Sequence, residues 1–96
     1  MCNAKTVGKI RHCITTGHYE EGEKLVEEAL KKSPASPVLH NLMGILKEKQ
    51  NHYVQAEQFF RKACSLDPSY EPARENLKRY GIFCPFHNCA YSEERF

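Results

Sequence analysis

Residues 53–68 read YVQAEQFFRKACSLDP. An aromatic opens the stretch at Tyr53, small residues stand at Ala56 and Ala63, bulky rings at Phe59 and Phe60, and Leu66-Asp67-Pro68 closes it. Moving back 34 residues, the pattern returns without a gap. Tyr53 falls on Tyr19, Ala56 on Gly22, Phe59 and Phe60 on Leu25 and Val26, Ala63 on Ala29, and Pro68 on Pro34. A register shared by all of these positions marks an internal repeat.

A period of this length is the mark of helix-turn-helix solenoids, whose units bury their apolar faces only by stacking on their neighbours. Ala56 and Ala63 lie two helical turns apart on one face, where a partner helix can come close, and Phe59, Phe60 and Leu66 supply bulk around them. Pro68 stops the helix, because it has no N–H and pushes Asp67 away from helical angles.

These residues resemble the tetratricopeptide repeat family. Its unit carries a small residue midway along the first helix, Gly-x-Tyr at the turn, then Ala, an aromatic and Ala in the second helix, and Pro at the end. Gly44, Tyr53, Ala56, Phe60, Ala63 and Pro68 hold those places in the second repeat, and Gly17, Tyr19, Gly22, Val26, Ala29 and Pro34 in the first. The sequence departs from the pattern where a large aromatic is usual early in each first helix, with His40 in one repeat and Thr6 in the other. It departs again at Ile10, where a small residue is usual, and at Gly22, where Ala is usual; glycine there costs about 1 kcal/mol of helix propensity.

The resemblance implies an all-α fold of antiparallel helix-turn-helix hairpins, stacked as a short right-handed α-solenoid of about five helices. Its repeats would occupy about residues 3–34 and 37–68, with a capping helix at 70–80, making a domain of residues 1–81 followed by a non-repeat tail at 82–96. Two repeats and one helix lie near the lower limit for such a stack, which normally needs about three repeats.

With 96 residues the chain makes one domain, and a chain of this size buries something over 60% of its unfolded surface. The 41% apolar and 27% charged composition belongs to an ordinary globular protein and excludes a disordered or membrane-embedded class. No stretch approaches the ~20 apolar residues of a membrane span, and Met1-Cys2-Asn3-Ala4-Lys5 leads into no signal-peptide core. Cysteines at 2, 13, 64, 84 and 89 are odd in number, scattered and without a CxxC pair, which points to reduced thiols and a cytoplasmic location. Cys64, next to Ala63 and near Leu66, reads as a small buried hydrophobe.

Along the chain, residues 3–16 read as a helix with Val7, Ile10 and Ile14 on one face, and Gly17-His18 as the turn after it. Residues 19–32 form a second helix with acids in its first turn and Lys31-Lys32 in its last, matching the helix dipole at both ends. Ser36 is the expected N-cap of a third helix with Pro37 at its first position, and Leu39, Leu42, Met43 and Leu46 give that helix an apolar stripe. In the fifth helix Ala73, Leu77 and Tyr80 face inward, and Gly81 ends it. Ile82, Phe83 and Phe86 in the tail read as a lid over the last helix or a dimer contact.

Nothing points to an enzyme: there is no glycine-rich phosphate loop, no HExxH and no GxSxG. His12 and Cys13 are consecutive helical residues, which point in different directions rather than forming a nucleophile and base. Cys84, His87 and Cys89 are close in sequence, but zinc takes four N or S ligands, usually as two spaced pairs, and no second pair is evident. No metal or other cofactor is therefore expected, with a tail metal site as an alternative. A net charge of +2 and a pI of 8.3 fall short of the basic footprint of nucleic-acid-binding domains.

Sorted by helix, the charges are uneven. The helices that open each repeat carry Lys5, Lys9 and Arg11, then Lys47 and Lys49 against Glu48, then Arg74, Lys78 and Arg79 against Glu71 and Glu75. In the family these helices line the concave surface, so the resemblance implies a mildly basic groove suited to an acidic peptide or a C-terminal carboxylate of a peptide or protein partner. Lys5, Lys9, Arg11, His40, Lys47, Arg74 and Lys78 are its expected contact residues. The Lys, Asn and Arg clamp by which some members hold carboxylate tails falls here on Val7, Arg11, Leu42, Pro72 and Asn76, so that clamp is absent. The expected function is a non-catalytic protein-interaction adaptor. Its alternative is a self-associating module, a homodimer formed through residues 82–96.

Overall fold

The computed structural model describes residues 4–80, and along them the chain forms five α-helices without a strand. These are α1 (Ala4–Thr16), α2 (Tyr19–Lys32), α3 (Pro37–Lys49), α4 (Tyr53–Leu66) and α5 (Glu71–Lys78). Gly81 and the segment 82–96, with its expected lid, dimer contact and Cys84, His87 and Cys89, lie outside the described residues.

The 34-residue period is written into the backbone hydrogen bonds. The His18 N–H reaches the Cys13 carbonyl at 2.8 Å, and the His52 N–H reaches the Lys47 carbonyl at 2.9 Å. Each bond closes a Schellman turn, and each turn needs one left-handed residue to reverse the chain. Gly17 supplies it with φ 84° and Asn51 with φ 67°. Glycine adopts that region freely, and asparagine is among the few other residues that tolerate it.

At the far end of each hairpin the Ser33 N–H bonds the Ala29 carbonyl, as the Asp67 N–H bonds that of Ala63. Ser36 then caps α3, its Oγ accepting from the Leu39 N–H, with Pro37 at the first helical position. The capping helix is shorter than residues 70–80: Tyr70 sits in extended conformation as its N-cap, and after Lys78 the chain tightens into a turn with Tyr80 N–H on the Leu77 carbonyl at 2.9 Å.

Two cores result. Ile10, Val26, Leu39, Leu42, Met43 and Leu46 fill the space between α1, α2 and α3. Ala56, Phe60, Ala63, Cys64, Ala73 and Leu77 fill that between α4 and α5. Ile45 packs against both, and a bare backbone at Gly44 admits the Phe60 ring between α3 and α4. Burying a side chain the size of Leu or Phe contributes about 1.5–3 kcal/mol, so these contacts, rather than helix propensity, hold the hairpins together.

The directions of the helices follow from the side chains that meet. Cys13 lies against Gly22, which makes α1 and α2 antiparallel across their short turn. Asn41 meets Asn76, and Glu48 meets Arg79 and Tyr80, so α3 and α5 run side by side in the same direction. The first helices of the successive units thus form one layer, α1, α3, α5, and α2 and α4 lie behind it. This is an all-α, repeat-like helical fold.

Candidate functional site

Where α1, α3 and α5 lie in a row, their shared face opens as a groove of about 420 Å³. Leu42 and Ile45 of α3 make its floor. Arg11, Ile14 and Thr15 form one wall, and Pro72, Glu75 and Asn76 the other. The walls carry opposite charges: Arg11 on α1 and Glu75 on α5. Glu75 is tied to Lys78 at 3.2 Å, whereas the Arg11 guanidinium makes no ion pair or hydrogen bond with the described residues.

Asn41 is the one polar side chain of the described residues that is buried, with 3% of its surface exposed. It sits on the groove and accepts through Oδ1 from Asn76 Nδ2 at 2.8 Å. Asn76 in turn accepts from Arg79 Nη2, and Arg79 also donates to Glu48, which receives the Tyr80 hydroxyl as well. This chain of hydrogen bonds fastens the end of α5 to α3. Burial, with the Glu48 carboxylate it faces, pushes the Tyr80 hydroxyl up to about 12.

Of the residues expected to make the contact surface, the groove lining includes Arg11 alone. Lys47 turns to α2, where its ammonium lies 3.3 Å from the Glu23 carboxylate that Gln50 also holds. His40 donates through Nε2 to the Pro34 carbonyl and stacks on Phe59 with ring centroids 6.3 Å apart, leaving its buried Nδ1 without a partner. Lys78 is paired with Glu75 on its own helix. Lys5 and Lys9 are exposed on α1, and Arg74 is half-buried on α5.

Groove residues outside the expected contact set include Asn41, Ile14, Ile45 and Glu75. The available signal was the 35-residue spacing of Asn41 and Asn76, close to the repeat period and so placing both on one layer.

A larger opening, about 670 Å³, lies at the hairpin turns between Gly17, Tyr19, Lys24 and Gln50. Its remaining polar side chains, His18, Glu20 and Glu21, are exposed, and Gln50 is already paired, so nothing there is held in readiness for a ligand. Among the described residues no three His, Cys, Asp or Glu side chains gather as metal ligands. No described helix is long and apolar enough to cross a membrane. Cys13 is buried, and burial followed by the charge of Glu21 pushes its thiol above its usual pKa, which keeps it in the unreactive protonated form.

No protein-family model matches the chain, and no solved structure matches it.

Proposed function

We propose that the chain is a non-catalytic protein-interaction module, a short adaptor of the tetratricopeptide kind, that docks a segment of a partner protein in the groove between α1, α3 and α5. The observation that carries this reading is the groove itself, with apolar Leu42 and Ile45 and the buried Asn41 in its lining. Concave sites of this make-up, mostly apolar with a few placed polar groups, are the usual form of a recognition site. The tetratricopeptide assignment is supported by the hydrogen bonds that recur at 34-residue spacing around both helical turns. A cytoplasmic adaptor also fits the reduced thiols Cys13 and Cys64.

Thr15 is exposed on the groove wall, so Thr15→Trp fills the groove from outside without touching either core. Affinity capture from native extract compares this variant with wild type and with Val54→Asp, a change at an exposed residue outside the groove lining. Proteins held by wild type and Val54→Asp are expected to be lost with Thr15→Trp. Retention of the same proteins by Thr15→Trp overturns the reading.

A further inference from the structure

We infer that Ser33 is a phosphorylation site for a proline-directed serine kinase, which writes a negative charge into the junction between the two hairpins. The junction reads Lys31-Lys32-Ser33-Pro34-Ala35-Ser36-Pro37 and offers two serines that each precede a proline. Proline carries no N–H, so it fits a kinase pocket that provides no acceptor at that place. Sequence alone does not choose between the two serines, and the fold does.

The neighbours of Ser33 lie on the surface. Lys31, Lys32, Pro34 and Ala35 are all exposed, and Ser33 is half-buried. Its backbone has left the helix, at φ −137° and ψ 69°, while its N–H still holds the Ala29 carbonyl across the last turn of α2. Helix ends open at low cost, so residues 31–35 can extend into a kinase cleft while both cores stay closed. Ser36 is placed differently. Its Oγ caps α3 by accepting from the Leu39 N–H, and the residues after it are built into the fold: Pro37 starts the helix, Val38 packs against the first core, and Leu39 is fully buried in it. Drawing Ser36 into an extended substrate unwinds the first turn of α3 and pulls Leu39 from the core.

In the transfer the Ser33 Oγ attacks the γ-phosphorus of ATP. The Oγ–P bond forms as the bond to the β-phosphate oxygen breaks, ADP leaves, and the hydroxyl proton passes to the catalytic aspartate of the kinase. The phosphoserine carries a charge of about −1.5 to −2 at pH 7. It stands at the negative end of the α2 dipole, where Lys31 and Lys32 directly before it offset the repulsion.

The test gives ATP, Mg²⁺ and each of two purified proline-directed kinases to the full chain and to a synthetic peptide of residues 28–41 as an unfolded reference. Initial rates at each serine are read by fragment mass spectrometry. Ser33 of the full chain is expected to take up phosphate, with a Ser33-to-Ser36 rate ratio at least about tenfold higher than in the peptide, because the fold protects Ser36 alone. Ser33→Ala keeps the backbone bond to Ala29 and is expected to remove that labelling. Pro34→Ala, a change at an exposed residue, is expected to slow it with the circular dichroism spectrum unchanged. No uptake at Ser33 of the full chain with either kinase overturns the assignment, as does an equal ratio in chain and peptide or a preference of the full chain for Ser36.

Discussion

Gly44→Ala adds one methyl group at the place where α3 and α4 come closest. A Cβ at this position would stand 2.5 Å from Phe60 Cε1 and 2.7 Å from its Cδ1, well inside ordinary van der Waals contact. The ring has no room to retreat: Phe60 is fully buried, packs in the core with Ala56, Ala63 and Leu77, and meets the Tyr80 ring at 6.1 Å. Overpacking of this kind costs about 1–3 kcal/mol, and so deep an overlap belongs at the upper end. Alanine returns about 1 kcal/mol of helix propensity. The net expectation is a loss of about 2 kcal/mol, or roughly 8–16 °C in Tm for a domain of this size.

Urea denaturation followed by circular dichroism measures the loss, with the slope of the transition unchanged. Two further variants isolate its cause. Gly8→Ala makes the same chemical change at an exposed helical site with nothing within 4 Å of the added carbon, and is expected to stabilise by about 0.5–1 kcal/mol. In a Phe60→Leu background the obstacle to Gly44→Ala is gone, so the substitution turns neutral or stabilising, a coupling of up to about 3 kcal/mol. An unchanged or raised midpoint for Gly44→Ala in the wild type refutes the argument, as does an equal loss in both backgrounds.

Four other outcomes follow from named contacts. Asn76→Ala strands the buried Asn41 oxygen and is expected to cost about 1–3 kcal/mol in the same assay, most of which returns when Asn41→Leu removes the other partner too; a cost below about 0.5 kcal/mol contradicts the bond. Tyr80 has its folded pKa raised to about 12 from 10, so the folded state keeps the proton longer than the unfolded one and the contribution to stability, full below pH 10, is lost as pH rises toward 12. Wild type is therefore expected to lose more stability than Tyr80→Phe between pH 9 and 11, and equal losses reject this. Cys13 and Cys64, both buried, are expected to react with a thiol reagent only at the rate of unfolding, which fast labelling in native buffer would disprove. A double-mutant cycle on Glu23→Gln and Lys47→Met should show a favourable coupling of about 0.5–1 kcal/mol that shrinks in high salt, since the pair is only half-buried; no coupling at low salt means the α2–α3 bridge does not form in solution.

The helices were legible because the chain punctuates itself. Gly17, Ser33-Pro34, Ser36-Pro37 and Asp67-Pro68 each impose a local geometry that no packing partner is needed to explain, and α2 and α4 occupy the spans those residues mark. The apolar stripe of Leu39, Leu42, Met43 and Leu46 is buried for the same reason it could be read: helical period alone puts those side chains on one face. Gly22 shows where local reasoning ends. As an isolated helical residue it looks like a defect, but in the fold a Cβ there would lie 3.0 Å from Leu46 Cδ2 and 3.2 Å from Cys13 Cβ, so the glycine accommodates two neighbouring helices. Asn41 is the complementary case: a polar residue beside an apolar stripe reads as solvated, and only its partner 35 residues later makes its burial tolerable.

Counting charge by helix and locating charge in a groove are different problems. Periodicity assigns a lysine to a face of its own helix, yet whether that lysine meets solvent, a ligand or an acid depends on the element behind the face. Lys47 meets Glu23 from the neighbouring hairpin, and Lys78 meets Glu75 within its helix. What the groove lining retains is one guanidinium without an ion pair, Arg11, and one carboxylate already offset, Glu75, rather than a surplus of basic residues. The same geometry makes the groove depend on the cap. Asn41 is held by Asn76, Asn76 by Arg79, and Arg79 by Glu48, so the Asn41 amide keeps its orientation only while α5 stays fastened to α3. A helix of eight residues has little stability of its own. Its place is kept by Ala73 and Leu77 in the core and by the hydrogen bonds that end at Tyr80, which makes the last short helix a wall of the groove as much as an end to the stack.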